Sequence, residues 1–184
     1  PLLAVLSIPI LLGMHDLYHW THHDLFDPAS ANYDPVIAGK EAYLNTPFFL
    51  ARFAFYFLSW TWISYKLYTL SVRQDNDPHP EIAPKQRKYA AIGLALGAIT
   101  TAFAAFDILM SLDPHWFSTI FGIYFFAGSF MIIMAVMALV SMMLQRKGML
   151  TGLIKVDHYQ DLGKFLFGFV VFWAYIGFSQ YMLI

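Results

Sequence analysis

Residues 88–112 read KYAAIGLALGAITTAFAAFDILMSL, and residues 116–144 read WFSTIFGIYFFAGSFMIIMAVMALVSMML. Only Asp113, Pro114 and His115 separate the two stretches. Each stretch exceeds the roughly 17 apolar residues that a helix needs to cross a bilayer. Both are too long and too weakly alternating for barrel strands, and backbone groups in lipid must be bonded within the segment. These residues therefore predict two transmembrane helices joined by a tight turn.

Two further apolar stretches, residues 47–72 and 162–184, are also long enough to span a bilayer. A shorter run at residues 1–13 supplies a partial span. We therefore expect an all-α fold, a polytopic transmembrane helical bundle with four complete spans and one partial span. Both ends of the chain lie in apolar runs, so we interpret residues 1–184 as a single transmembrane domain and an internal fragment of a longer polytopic protein.

Two helix starts are predicted from capping residues next to proline. Thr46 precedes Pro47, and Asp113 precedes Pro114. Such side chains bond the free N–H groups of a first helical turn, and proline fits its first position. We therefore expect one helix to begin at Pro47 and another at Pro114.

The composition agrees with a membrane protein and excludes several functions. Hydrophobic residues make up 59% and charged residues 12% of the chain, against about 45 to 50% and about 25% in soluble domains. Basic and acidic residues are balanced at 11 and 12, so no basic face for nucleic acid is expected. The absence of Cys excludes disulfides, thiolate-ligated iron–sulfur clusters and covalently attached c-type haem in this chain.

The segments between the spans alternate in charge. The segment 14–46 has one basic residue among five acidic ones, and the turn at 113–115 has none. The connections at 73–88 and 145–161 contain four and three basic residues. Since Lys and Arg accumulate on the cytoplasmic side, we expect the last two connections to be cytoplasmic. The His-rich segment 14–46 is then periplasmic, in a multi-pass protein of the inner membrane.

Asp107 is the candidate site residue, because an acid at full membrane depth costs on the order of 2.5 to 3.5 kcal/mol. Thr100, Asp107 and Ser111 share one helix face. An acid inside a span indicates a functional site by default, here proton or quinol chemistry. The alternative is a helix cap or a structural partner for a cation.

Arg52 is the cation expected to pair with Asp107, since both lie at similar depth in their helices. Tyr56 lies on the same helix face as Arg52. His115, just outside the membrane, can pass protons onward. The candidate catalytic set is therefore Asp107, Arg52 and His115, with Thr100, Ser111 and Tyr56 in supporting positions; a purely structural ion pair remains the alternative for Arg52.

The histidines at 15, 19, 22 and 23 would share one face of a helix, as metal ligands can. Membrane di-iron enzymes, however, need more histidines than the seven in this chain. We therefore expect an amphipathic helix at the outer surface, anchored by Tyr18 and Trp20. No His lies within a span to ligate haem, so we expect no metal and no cofactor in this chain.

Three stretches resemble a known family. They are residues 111–129 (SLDPHWFSTIFGIYFFAGS), residues 40–52 (KEAYLNTPFFLAR) and Tyr18-His19-Trp20. They resemble the second quinone-binding membrane subunit of bacterial alternative complex III, a quinol:cytochrome c oxidoreductase. The resemblance extends from about residue 14 to residue 184, and the run from Asp113 to Thr119 is its most specific part.

The resemblance implies a polysulfide-reductase-like helical protein without a redox cofactor of its own. It implies a related quinol-binding membrane subunit as partner, and periplasmic subunits that carry haem c and iron–sulfur clusters. The complex would oxidise quinol, with menaquinol as the expected substrate, and would contribute to proton translocation in the respiratory chain. Such a subunit is not an enzyme alone. A purely structural membrane anchor of the same complex is the alternative function.

Overall fold

The computed structural model describes residues 2–77 and 79–183, and these residues form helices and turns with no strand. Two compact units divide the chain, Pro1–Ser118 and Thr119–Ile184. The helices of the first unit are α1 (Leu2–Leu6), α2 (Ile8–Leu12), α3 (Met14–Leu17), α4 (Pro35–Ala38), α5 (Thr46–Asn76) and α6 (Ile82–Ile108). Short 3₁₀ helices span His19–Thr21, His23–Leu25 and Met110–Leu112. The second unit contains α7 (Phe121–Arg146) and α8 (Val156–Leu183).

Among the described residues, three helices are long and apolar enough to cross a membrane. They are Ile82–Leu112, which joins α6 to the following 3₁₀ turn, Phe121–Arg146 and Val156–Leu183. The predicted all-α class is confirmed, but four complete spans are not. Helix α5 has a sufficient length of 31 residues. Its Tyr and Trp residues, together with Arg52 and Lys66, make it more polar than the other three helices.

Helices α5 and α6 pack as an antiparallel pair through small and aromatic side chains. A Cβ added to Gly93 would lie 2.7 Å from Cγ2 of Ile63, so only glycine allows this close approach. Farther along the pair, the indole N–H of Trp60 donates to Oγ1 of Thr100 over 2.8 Å. These contacts fix which face of α5 packs against α6.

Only one of the two predicted helix starts is right. Helix α5 begins at Thr46, within a residue of the expected position, but its cap is Asn45 and not the predicted Thr46, because the Asn45 side chain accepts from the N–H of Phe48. No α-helix begins at Pro114, and α7 starts at Phe121. Oδ1 of Asp113 instead accepts from the N–H of His115 two residues on. This is the local turn that Asp side chains favour over a continuing helix.

The segment before α5 forms a small hydrophobic core instead of the predicted amphipathic surface helix. Tyr18 and His22 have extended backbones that interrupt the helix. Tyr18 and Trp20 are 0% and 1% exposed, and their rings lie 5.4 and 5.3 Å from that of Phe49. They are therefore core residues and not interface anchors, because burying two aromatic rings outweighs the few backbone bonds of a continuous helix.

Helices α7 and α8 pack in the second unit through contacts between aromatic rings. Tyr124 and Trp173 have centroids 5.0 Å apart, and Phe130 and Phe169 are 4.3 Å apart. Gly128 lies against the Trp173 indole, where an added Cβ would approach Nε1 to 3.1 Å. Most other side chains of both helices remain exposed, as expected for surfaces that face lipid.

Candidate functional site

Asp107 is buried near the end of α6 and pairs with Arg52 of α5. Only 1% of Asp107 is exposed. Arg52 Nε donates to Oδ2 over 2.8 Å, and Arg52 Nη2 donates to Oδ1 over 3.1 Å. This two-point contact matches the planar guanidinium to the carboxylate. The predicted pairing of Arg52 with Asp107 is confirmed.

Tyr56 completes the shell around the carboxylate. It lies one turn after Arg52 on α5 and is 4% exposed. Its hydroxyl donates to Oδ2 of Asp107 over 2.6 Å. Three donors therefore reach the two carboxylate oxygens, which compensates much of the cost of removing a charge from water. The structure thus places Tyr56 against Asp107, while its supporting role in a proton path or quinol pocket stays a prediction.

Arg52 is held from its other side by residues around the start of α5. Nη1 of Arg52 donates to the backbone carbonyl of Tyr43 over 3.1 Å. The guanidinium carbon lies 3.9 Å from the ring centroid of Tyr43 and 4.2 Å from that of Phe48. Such stacking stabilises the cation and fixes its plane. We refer to Tyr43, Arg52, Tyr56 and Asp107 as the Asp107 cluster.

Two tyrosines near Asp107 were missed by sequence reasoning. Burial, and then the charge of Asp107, raise the pKa of Tyr18 to about 12, and its hydroxyl donates to the carbonyl of Ile108 over 3.1 Å. The pKa of Tyr43 is also raised, first by burial and then by the charge of Asp107 and a hydrogen bond to it, against the opposing effect of Arg52. Both phenols therefore hold their protons more strongly than an exposed tyrosine does.

Thr100 and Ser111 share the face of Asp107, as predicted, but both hydroxyls bond backbone carbonyls of α6. Thr100 donates to the carbonyl of Leu96 over 2.7 Å and accepts from Trp60. Ser111 donates to the backbone carbonyl of Asp107. The geometry thus gives Thr100 a helix-packing contact and gives Ser111 a contact at the end of α6.

His115 is held by the segment before α5. Its Nε2 lies 2.6 Å from Oδ2 of Asp34, and its Nδ1 lies 3.9 Å from Oδ1 of Asp113. Partial burial tends to raise the pKa of Asp34, but hydrogen bonds from Val36 N–H, His115 and Ile37 N–H hold it below the ordinary value. His115 therefore bonds Asp34, a partner that the sequence did not indicate, and not the Asp107 carboxylate.

A cavity of about 330 Å³ lies beside the cluster, between Tyr43 and the turn that follows α6. Lys40 borders it, donates to the carbonyl of Pro114, and lies 5.4 Å from the ring centroid of Phe117. The lining is mainly apolar and aromatic with a few polar groups, which is typical of sites for small organic ligands. Tyr43 belongs both to this cavity and to the Asp107 cluster, and so connects them. The principal lining side chains are Lys40, Tyr43, Phe106, Ser111, Trp116 and Phe117.

The histidines of the first segment lie close together without forming a ligand set. The rings of His15 and His22 are 4.1 Å apart, and those of His19 and His22 are 5.7 Å apart. Within residues 2–77 and 79–183, no three His, Asp or Glu side chains are grouped so that they could hold a metal ion. The expectation of no metal in this chain stays a prediction.

No known protein-family model and no curated protein matches this chain. The resemblance to the quinone-binding membrane component of alternative complex III therefore depends on the three stretches quoted above. Members of these stretches contact α6 or the turn that follows it: Tyr18 bonds Ile108, Arg52 bonds Asp107, and Lys40 bonds Pro114.

Proposed function

We propose that this chain is an integral membrane subunit of a quinol-oxidising respiratory electron-transfer complex in the bacterial cytoplasmic membrane. In this proposal the Asp107 cluster takes part in proton transfer, and the adjacent cavity binds the quinol head group. The observation that supports it most strongly is the buried carboxylate of Asp107, held by Arg52 and Tyr56 next to a cavity that Tyr43 also borders. The segment 14–46 would face the periplasm.

The proposed chemistry uses the phenol of Tyr43 as the link between cavity and carboxylate. Oxidation of a quinol releases two electrons and two protons. One hydroxyl proton from the quinol can pass to the oxygen of Tyr43 as the phenol proton moves to Asp107, so the tyrosine ends neutral. The second proton passes to solvent water. The Arg52 guanidinium stabilises the negative charge of the carboxylate before it accepts the proton. The electrons would pass to haem c and iron–sulfur clusters of partner subunits, because this chain has no Cys to hold covalent haem c or a thiolate-ligated cluster.

A purely structural membrane anchor is the second candidate function, and one observation favours it. Both oxygens of Asp107 already accept hydrogen bonds from Arg52, and Tyr56 adds a third. Arg52 is also stacked on two rings. A fully bonded pair of this kind can simply fix α5 to α6, with no proton transfer.

Purification of the tagged chain from its own membrane in mild detergent tests the proposed assembly. We expect it to co-purify with a related membrane subunit and with proteins that contain haem c and iron–sulfur clusters. Added menaquinol should reduce the haem, as followed by its visible absorbance. Isolation of the chain alone, or with partners that contain no redox centre, contradicts both the quinol-linked function and the anchor function.

A further inference from the structure

The connection between α7 and α8 concentrates positive charge. Arg146, Lys147 and Lys155 are all exposed, and no Asp or Glu occurs from Phe121 to Val156. Asp157 follows them at the start of α8, whereas in the other basic connection, residues 73–88, Asp75, Asp77 and Glu81 lie between the basic residues. Basic residues with no acidic residue between them attract anions, including the anionic head groups at a membrane surface.

The same connection exposes large apolar side chains between its cations. Met149 is 49% exposed, Leu153 is 71% exposed and Val156 is 81% exposed. Apolar and cationic groups side by side fit the boundary between lipid head groups and acyl chains. The cations can contact phosphate there while the apolar side chains enter the hydrocarbon.

The connection is ordered by its own contacts, so its surface is formed in advance. Gly148, with φ of +78°, ends α7: its N–H donates to the carbonyl of Gln145, and the N–H of Met149 donates to that of Leu144. This pair of bonds is a Schellman motif, which requires a left-handed residue. The side chain of Gln145 then donates to the carbonyl of Ile154 and accepts from the hydroxyl of Tyr159, both over 2.8 Å.

The flanking helices fix where this surface lies. Phe121–Arg146 and Val156–Leu183 are both long and apolar enough to cross a membrane. If both helices span, the residues between them emerge at the membrane surface. The three cationic side chains then lie at the level of the lipid head groups.

We propose that residues 146–156 form a docking surface for anionic phospholipids. Arg146, Lys147 and Lys155 contact the anionic head groups, and Met149, Leu153 and Val156 enter the upper acyl region. Charge complementarity selects an anionic lipid over a zwitterionic one. This inference does not depend on the proposed respiratory function, since it uses only the second unit of the chain.

Spin labels test the proposal without background, because the chain has no Cys. Single variants Leu153→Cys and Thr151→Cys, reconstituted as the full chain, are labelled in vesicles of phosphatidylcholine with or without phosphatidylglycerol. Power saturation with oxygen and a water-soluble nickel chelate measures the depth of each label. With phosphatidylglycerol present, we expect the label at 153 to be in the acyl region and the label at 151, which replaces an exposed polar residue, to be in water.

The charge requirement is tested by Arg146→Gln/Lys147→Gln/Lys155→Gln. The matched control is Lys85→Gln/Arg87→Gln/Lys88→Gln in the other basic connection. The first variant should lose the effect of phosphatidylglycerol on the depth of label 153, with the preference for anionic lipid falling about fivefold for each charge removed; the control should keep it. Equal depth in both lipid mixtures overturns the proposal, as does an effect that only the control variant abolishes.

A second measurement avoids the spin label, because a label can itself move residue 153 away from its native position. Native mass spectrometry of the unlabelled chain counts the phosphatidylglycerol molecules that it retains. The triple variant at 146, 147 and 155 should retain fewer than the wild type and the control. Equal retention by all three proteins overturns the proposed lipid-docking surface. If the label at position 153 is shielded from the nickel chelate only when a partner protein is present, the surface binds protein and not lipid.

Discussion

Separate removal of Arg52 and Asp107 measures how strongly the two residues depend on each other. In Arg52→Gln, Asp107 stays buried beside Tyr56 without its cation. Loss of one partner from a buried ion pair costs about 3 to 5 kcal/mol of unfolding free energy. In Asp107→Asn, the guanidinium keeps the Tyr43 carbonyl and two aromatic rings, so we expect a smaller loss of about 2 to 3 kcal/mol.

The double variant carries no charge at this position and should lose less than the two single variants added together. We expect a coupling energy of about 2 kcal/mol or more, within the range for residues in one bonded network. Unfolding of the purified protein in mixed micelles by increasing dodecyl sulfate, followed by tryptophan fluorescence, gives the four free energies. Glu81 and Lys85, an exposed pair 3.0 Å apart, provide the control cycle, which should be additive.

Two results would refute this reasoning. Additive losses for Arg52→Gln and Asp107→Asn, within about 0.5 kcal/mol, would mean that the carboxylate and guanidinium do not interact in the folded protein. A larger loss for Asp107→Asn than for Arg52→Gln would contradict the role of Tyr43 and Phe48 in holding the cation.

Three further predictions concern topology, packing and acid stability. Single Cys probes at Asp24 and Asp113 should react with a membrane-impermeant reagent in cells whose outer membrane alone is permeable. Probes at Asn76 and Thr151 should react only after the inner membrane is opened. Labelling of the Asn76 probe while the inner membrane is intact would mean that the orientation is the reverse. Gly93→Ala should destabilise the pairing of α5 with α6, because the new Cβ meets Ile63. The control Gly97→Ala has nothing within 4 Å of its Cβ and should be neutral or stabilise the protein by about 0.5 to 1 kcal/mol. Equal thermal stability of the two variants would contradict the close approach at Gly93. Because the pKa of Asp34 is lowered in the folded protein, its stabilising contribution is complete above the ordinary pKa of 3.8 and is lost as the pH falls through the folded-state pKa. The difference in melting temperature between wild type and Asp34→Asn should therefore shrink from pH 7 to pH 3. An unchanged difference would argue against this contribution.

Residue depth within the helices was enough to predict the central ion pair. Arg52 lies near the N-terminal end of α5 and Asp107 near the C-terminal end of α6. In an antiparallel pair these two ends lie on the same side, and the pairing followed because a charge inside a membrane needs a partner. Tyr56 followed from helical periodicity. These features depend on regular geometry, which sequence spacing encodes directly.

The irregular segment before α5 could not be predicted in the same way. Tyr43 contacts Arg52, and Asp34 contacts His115, because the chain turns at positions that no periodic pattern marks. Tyr18 and Trp20 were expected at an interface, but they fill a core that forms only when this segment folds onto α5. Thr100 and Ser111 lie on the predicted face, yet hydroxyls within helices readily bond the carbonyl four residues earlier.

Quinol oxidation and proton release by the assembled complex, compared between wild type and Asp107→Asn, test the central proposal most directly. Haem content per complex confirms assembly, and Asp75→Asn, at an exposed aspartate, is the matched control. We predict normal haem content with turnover lowered on the order of 100-fold, as for loss of a proton-transfer group, partial activity in Asp107→Glu and normal activity in Asp75→Asn. Normal turnover and proton release in an assembled Asp107→Asn complex would contradict the proposal and leave Asp107 as part of a structural anchor.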